Sequence, residues 1–252
     1  GSTDGIEDGS VIPAYAGGPG VTATRDGDSW VLDGVKEPVL NGARADVLVV
    51  TAEVDGQTAL FSVTNAERSG YATFDGGRAA RVSFDRTPAV LLALDAADLV
   101  AQAEAEAQIA YAHESVGAME TALSMTTEYL RTRKQFGVPL KAFQALTHRA
   151  SDMYVSLELA KSITIWATLV LLDGGDVVDA ASRAKLQVSK AGRHIGKEAI
   201  QLHGGIGVTM EYAVGHYTMR LTAIDHLLGD GRHHLARLSA KLGAYGVFEA
   251  LP

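Results

Sequence analysis

Two short segments of this 252-residue chain carry residue types suited to holding a diphosphate. In the first, Arg131 to Gly137 (RTRKQFG), the planar guanidinium of Arg133 matches phosphate oxygens two at a time. Phe136 offers an aromatic face for stacking, and Gln135 and the later Gln144 donate hydrogen bonds. In the second, Gln201 to Gly207 (QLHGGIG), Gly204 and Gly205 lack the side chains that keep backbone N–H groups away from a phosphate. Each segment also suits a plain helix end. An arginine in a last turn complements the helix dipole, and a glycine there stops the helix in the left-handed conformation. Taken one at a time, the segments leave both readings open.

Other chemistries find less support. The chain has no cysteine, which excludes disulfides, thiolate zinc sites and cysteine nucleophiles. Its eight histidines form no HxxxH or HExxH pattern, so no metal site is expected. No GxSxG elbow orders a hydrolase triad. A formal charge of -8 argues against a nucleic-acid partner, because phosphate neutralisation needs clustered lysine and arginine. The most apolar run, Ile163 to Leu172, is too short to cross a bilayer, and no signal peptide pattern opens the sequence. The expectation is a cytoplasmic protein with no membrane span.

The elements that position these segments change character along the chain. Residues 1–10 read as a flexible polar start, and residues 11–94 as short strands such as Trp30 to Leu32, Asp46 to Val54 and Ala59 to Val63. Turn pairs punctuate them at Asp26-Gly27, Asp33-Gly34, Asp55-Gly56 and Asp75-Gly76, a pattern for a small antiparallel β-barrel or sandwich. From residue 95 to 252, apolar residues recur at three- and four-residue steps. Ala107 to Leu130, Gln144 to Leu172, Val178 to Leu202 and about Arg232 to Leu242 predict a four-helix bundle, making the chain α+β.

In order, Tyr129, Arg133, Gln135-Phe136-Gly137, Pro139, Gln144, Asp152-Met153, Ala184-Lys185, Ser189 and Gln201 with Gly204-Gly205-Gly207 resemble the acyl-CoA dehydrogenase family. The strand half agrees, with Asp26-Gly27-Asp28, Val31 to Lys36 and Asn41-Gly42-Ala43 matching that family's hairpins. The resemblance runs from about Val21 to Leu242. It implies a middle β-domain and a C-terminal four-helix bundle, with the family's N-terminal helical domain absent or reduced. It also implies FAD shared across a subunit interface and oxidation of an acyl-CoA to its 2,3-enoyl form. On this reading Arg133, Gln135, Phe136, Gln144, Gln201, Gly204 and Gly205 contact the ADP side of a neighbour's FAD.

Catalytic positions depart from the family pattern. The reaction needs a carboxylate to take the α-proton while the flavin accepts hydride from the β-carbon. In most members that carboxylate is the Glu of a YEGT-like motif after an arginine resembling Arg220, and here Gly229 stands in its place. A second group carries the base about seven helical turns before the RxQFG arginine. That register falls on Ala107, followed by Gln108. Asp230 is the one nearby carboxylate, and it equally suits a helix N-cap. The family's flavin-ring segment is replaced by Lys36-Glu37-Pro38-Val39-Leu40, where Pro38 lacks an N–H and Leu40 a hydroxyl. The resemblance therefore implies the non-catalytic subunit of a heteromeric, α2β2 enzyme. A homologous catalytic partner would supply the base and most of the acyl-CoA site, for a bulky or sterol-derived acyl group, with an electron-transfer flavoprotein as candidate acceptor. Alternatives are a flavin-dependent monooxygenase or oxidase of the same fold and a non-enzymatic structural subunit.

Overall fold

The computed structural model describes residues 5–244, which form two compact units divided after Val100. The first four residues of the expected flexible start, and residues 245–252 of the expected bundle segment, lie outside the described residues. Residues 5–10 fold into a hydrogen-bonded loop, with Val11 N donating to Gly5 O at 2.7 Å and Ser10 N to the Asp8 carboxylate at 2.9 Å.

In the first unit, strands β1 (Pro13–Ala16), β2 (Val21–Asp26), β3 (Ser29–Leu40), β4 (Val47–Val54), β5 (Gln57–Val63), β6 (Glu67–Ala72) and β7 (Arg78–Ala93) form one sheet. Five of them close a ring in the order β4-β2-β3-β7-β5, with β5 returning to β4, while β1 adds to β4 and β6 to β7. Closure satisfies the edge N–H and C=O groups that an open sheet would expose. The sheet is mixed, which corrects the all-antiparallel expectation: β1 runs parallel to β4 over four residue pairs, and β2 meets β4 in parallel at Thr22 and Glu53. Inward-outward alternation is the same for parallel and antiparallel neighbours, so the strand pattern could not distinguish them. Alternate residues Leu48, Val50 and Ala52 on β4 and Ala59, Phe61 and Val63 on β5 are buried, and Trp30 packs a tilted ring 5.6 Å from Phe61.

Asp33-Gly34 is no turn. It sits inside β3 at a register shift against β7, with Gly34 at φ +132°. A Cβ there would lie 2.1 Å from the Gly20 carbonyl oxygen, so only glycine lets these backbones meet. The Asp33 carboxylate accepts a hydrogen bond from Arg86 N at 2.8 Å.

The second unit is built mainly from α1 (Ala97–Thr132), α2 (Gln144–Leu172), α3 (Val177–His203), α4 (Ala213–His226) and α5 (Gly231–Ala240). All four expected helices are present, α1 starting ten residues before its expected Ala107, and α4 is an addition. Gly215, Thr218 and Thr222 give α4 poor intrinsic propensity, and burial of Val214, Leu221 and Ile224 compensates. Alanine dominates the shared core, including Ala112, Ala122, Ala160, Ala181, Ala184 and Ala199, and such small side chains let helices approach closely. By length and composition alone the 29-residue α2 is long and apolar enough to cross a bilayer, although its run Ile163 to Leu172 is not. It packs on α3, and partly exposed ion pairs flank it, Lys161 to Glu120 at 2.5 Å and Arg149 to Glu198 at 2.5 Å.

Replacing Gly34 by Ala is expected to destabilise the barrel by about 2 kcal/mol or more, from the steric conflict and the positive φ. Urea unfolding of the two proteins measures it, and equal midpoints would contradict the close backbone approach.

Candidate functional site

At the end of α1, Arg133 N still donates to Tyr129 O at 2.9 Å, and the chain then turns back as a hairpin of β8 (Lys134–Gln135) and β9 (Val138–Pro139). Phe136 at φ +53° and Gly137 at φ +83° form its two-residue tip. A left-handed phenylalanine costs about 1 kcal/mol, and it holds the Phe136 ring 92% exposed, touching Phe143 edge-on at 6.1 Å. Arg133 and Gln135 are exposed in the same hairpin, and Gln144 is exposed at the first position of α2, directly after Phe143. Arg133 pairs with no carboxylate among the described residues.

The glycine segment closes α3. Gly204 adopts φ +65° and donates to Ile200 and Gln201 carbonyls, so it acts as the helix stop. Gly207 is confined, since a Cβ would sit 2.8 Å from Ile200 O, whereas a Cβ on Gly205 would meet nothing within 4 Å. Gln201 and Gly205 are exposed. What joins the two segments is a stack that sequence reading missed. The buried His203 ring lies 4.6 Å from Tyr129 at the end of α1 and 4.9 Å from Tyr212. Its Nδ1 donates to Ala199 O at 2.7 Å, and burial lowers its pKa, so the ring is a neutral structural link. Six of the seven expected cofactor-binding positions thus lie on two segments whose helices this stack joins, and Gln144 opens α2 beside the first. Arginine, exposed aromatic ring, free amides and open glycine backbone fit the diphosphate and planar base of a dinucleotide.

The two family positions for a base also come together. Gln108, beside Ala107, donates from Nε2 to Leu228 O at 3.0 Å, and Leu228 precedes Gly229. Leu228 has φ +55° and Gly229 φ +94°. A side chain at Gly229 would start 2.6 Å from His233 and 3.0 Å from His234, so the two imidazoles already fill the space a glutamate would enter. His234 is fully buried, with Nε2 3.2 Å from Leu228 O. Below this loop, the buried Lys185 ammonium donates to Ile224 O at 2.7 Å, Leu227 O at 2.9 Å and Asp225 O at 3.4 Å, capping the last turn of α4. Burial pushes the Lys185 pKa down to about 8, against the pull of Asp225 and Asp230.

Neighbouring carboxylates are committed elsewhere. Asp230 caps α5 by accepting from His233 N at 2.8 Å, and that bond lowers its pKa. Asp225 accepts from Gly231 N at 3.3 Å and pairs with Arg193 at 3.7 Å. Glu106 meets Gln102 on an exposed face, and Glu114 forms a two-pronged pair with Arg220 at 2.6 and 3.0 Å. In the barrel, buried Lys36 bonds Thr51 Oγ1 at 3.1 Å and the carbonyls of Gly18 and Pro19, tying down the turn before β2. The signal for Lys185 was present in the sequence, as a lysine on the apolar stripe between Ala181 and Val188.

Burial brings the His234 pKa down to about 4, with Lys185 adding to the effect, from an ordinary 6.5. The unfolded state therefore binds the extra proton first, and stability falls as pH drops from 6.5 towards 4, by on the order of 3 kcal/mol. His234→Gln should flatten that slope in urea melts at pH 7 and 4.5; an unchanged slope would assign the acid sensitivity elsewhere. Gly229→Glu should lose about 2 kcal/mol or more of stability without gaining dehydrogenation of an acyl-CoA in a dye-reduction assay. Activity in that variant would show that the imidazoles leave room for a base.

Comparison with known proteins identifies the family. Residues 98–242 match the family model for the acyl-CoA dehydrogenase C-terminal domain. The chain is 34% identical over 205 residues to acyl-CoA dehydrogenase IpdE2 of Mycobacterium tuberculosis, covering 81% of this chain and 59% of the relative. It is 30% identical over 236 residues to the human mitochondrial short-chain specific acyl-CoA dehydrogenase, covering 83% and 55%. The chain thus spans little more than half of these relatives. Among solved structures, a variant of the Tcur3481-Tcur3483 steroid ACAD superposes with a TM-score of 0.87 at 31% identity, covering 95% of this chain and 69% of that one. The ChsE4-ChsE5 complex of M. tuberculosis shares the fold, with a TM-score of 0.86 at 24% identity over 96% and 69% of the chains. The family model matches more than half of the chain, which therefore belongs to the acyl-CoA dehydrogenase family.

Proposed function

We propose that this chain is the non-catalytic subunit of a heteromeric, FAD-dependent acyl-CoA dehydrogenase. The observation that carries the reading is the filled base position: Gly229 at φ +94° backs onto His233 and His234. The nearby Asp225 and Asp230 carboxylates are both held in other bonds. At the opposite kind of site, Arg133, Gln135, Phe136, Gln144, Gln201 and Gly205 stand exposed with groups suited to the ADP portion of FAD, and Gly204 sets the helix end that presents them.

The flavin, when bound, supplies the hydride acceptor for α,β-dehydrogenation. Within this chain, the Arg133 guanidinium neutralises diphosphate charge, the Phe136 ring covers a planar face, and the Gly205 backbone admits a phosphate oxygen. The homologous partner supplies the proton-abstracting carboxylate and the ring pocket, because Pro38 and Leu40 offer neither N–H nor hydroxyl there. A steroid ACAD among the similar structures above 30% identity supports a bulky acyl group as the substrate.

Purified alone, the chain should carry little flavin; co-purified with its catalytic partner, it should hold about one FAD per unlike pair, since cofactor and subunit stabilise each other. Full flavin absorbance in the isolated chain would end this division of labour. In the complex, Arg133→Ala should weaken FAD retention by roughly 1.5 to 3 kcal/mol, the worth of charge-assisted hydrogen bonds. Unchanged retention would remove Arg133 from the site.

A further inference from the structure

A separate cavity of about 360 Å³ lies within the barrel unit, between the β3–β4 turn and the β6–β7 hairpin. Asn41, Arg44, Gly70, Tyr71, Gly76 and Arg78 are among its walls. Two arginines, Arg44 and Arg78, thus line one small cavity, where their like charges favour an anion. Although the chain carries a net charge of -8, neither Arg44 nor Arg78 pairs with a carboxylate among the described residues.

The carboxylates close to the cavity are held in other bonds. Asp75 accepts from the Thr73 hydroxyl and from Gly77 N within its own turn. Glu37 is held by Arg81 at 3.8 Å and by the Tyr71 phenol. The backbone frame is firm. Asn41 N donates to Arg78 O and Arg44 N to Asn41 O, both at 3.0 Å, and Gly70 packs so closely that a Cβ would sit 2.7 Å from Ala43. Gly76, at φ +85° with nothing within 4 Å of an added Cβ, leaves its backbone open to a ligand. The same condition marks the hairpin at Arg133, where unpaired arginine, open glycine and exposed aromatic ring also coincide. Here the rings are Tyr71, 38% exposed, and Phe74, 59% exposed at the hairpin tip.

We propose that this cavity is a second anion site, in which Arg44 and Arg78 grip a phosphate group of a nucleotide while Tyr71 covers its base. Guanidinium forks match phosphate oxygens in pairs, the Asn41 amide adds donors, and the volume falls in the range of small-ligand sites. The inference is independent of the flavin reading, since it uses no residue of that site.

The test uses the full chain carrying Arg133→Ala, so that the α1 hairpin contributes no phosphate binding. Equilibrium dialysis against inorganic pyrophosphate, adenosine 3′,5′-bisphosphate and adenosine should show saturable binding of the two phosphates and none of adenosine. Arg44→Gln and Arg78→Gln should each weaken phosphate binding at least tenfold with unchanged melting temperatures, because both side chains are exposed. Tighter binding of the bisphosphate than of pyrophosphate supports the nucleotide. Equal affinity would overturn the nucleotide and leave a site for free phosphate. Absence of saturable binding, or binding indifferent to either substitution, would overturn the site itself.

Discussion

The bundle's functional character depends on one buried charge. Lys185 enters the core from α3, where water cannot solvate it, and its ammonium must find acceptors inside. It finds them in the last carbonyls of α4 and the loop beyond, a place where helix geometry leaves oxygens unpaired. The bargain is mutual, since neither the ammonium nor the orphan carbonyls could be buried alone. Once these bonds form, the chain after Ile224 has little freedom. Leu227 turns inward, Leu228 and Gly229 take left-handed conformations, and the Leu228 carbonyl faces Gln108 on α1 and His234 on α5.

That loop explains why the base position is closed as well as empty. An exposed glycine would leave space that a substitution could fill, but Gly229 lies against two imidazoles and turns in a direction that disfavours side chains. Asp230 follows and spends its carboxylate on the first turn of α5. The α1 hairpin presents the opposite condition. Phe136 accepts backbone strain to remain in solvent, and the strain persists because the two-residue tip and the ring of Phe143 define it. The loop at Gly229 is packed against imidazoles, whereas the α1 hairpin is exposed and charged. The stack of Tyr129, His203 and Tyr212 joins the end of α1 to the end of α3.

The barrel follows a comparable rule of satisfied edges. Its ring closes where β5 returns to β4, and the bulge at Gly34 lets β3 bend enough to pair with both β2 and β7. Lys36 then holds the turn between β1 and β2 from inside the sheet. Alternating burial was legible in Asp46 to Val54 and Ala59 to Val63, because a strand with one wet face reports that face in its residue types. Parallel pairing of β1 with β4 was not legible, since hydrogen-bond direction leaves no trace in hydrophobicity. Nor was the bulge: an Asp-Gly pair has the same chemistry in a turn and inside a strand.

By itself the sequence determined the succession of strands and helices and the residue types that suit two segments to a diphosphate. These are local properties, set by residue type and period over a few turns. The tertiary structure alone decided that Ala107-Gln108 and Leu228-Gly229 meet, that His203 is a buried link, that α4 is helical, and that Asp230 is a cap. Each of those outcomes depends on which groups lose water together, and desolvation is a property of the packed chain rather than of any one segment.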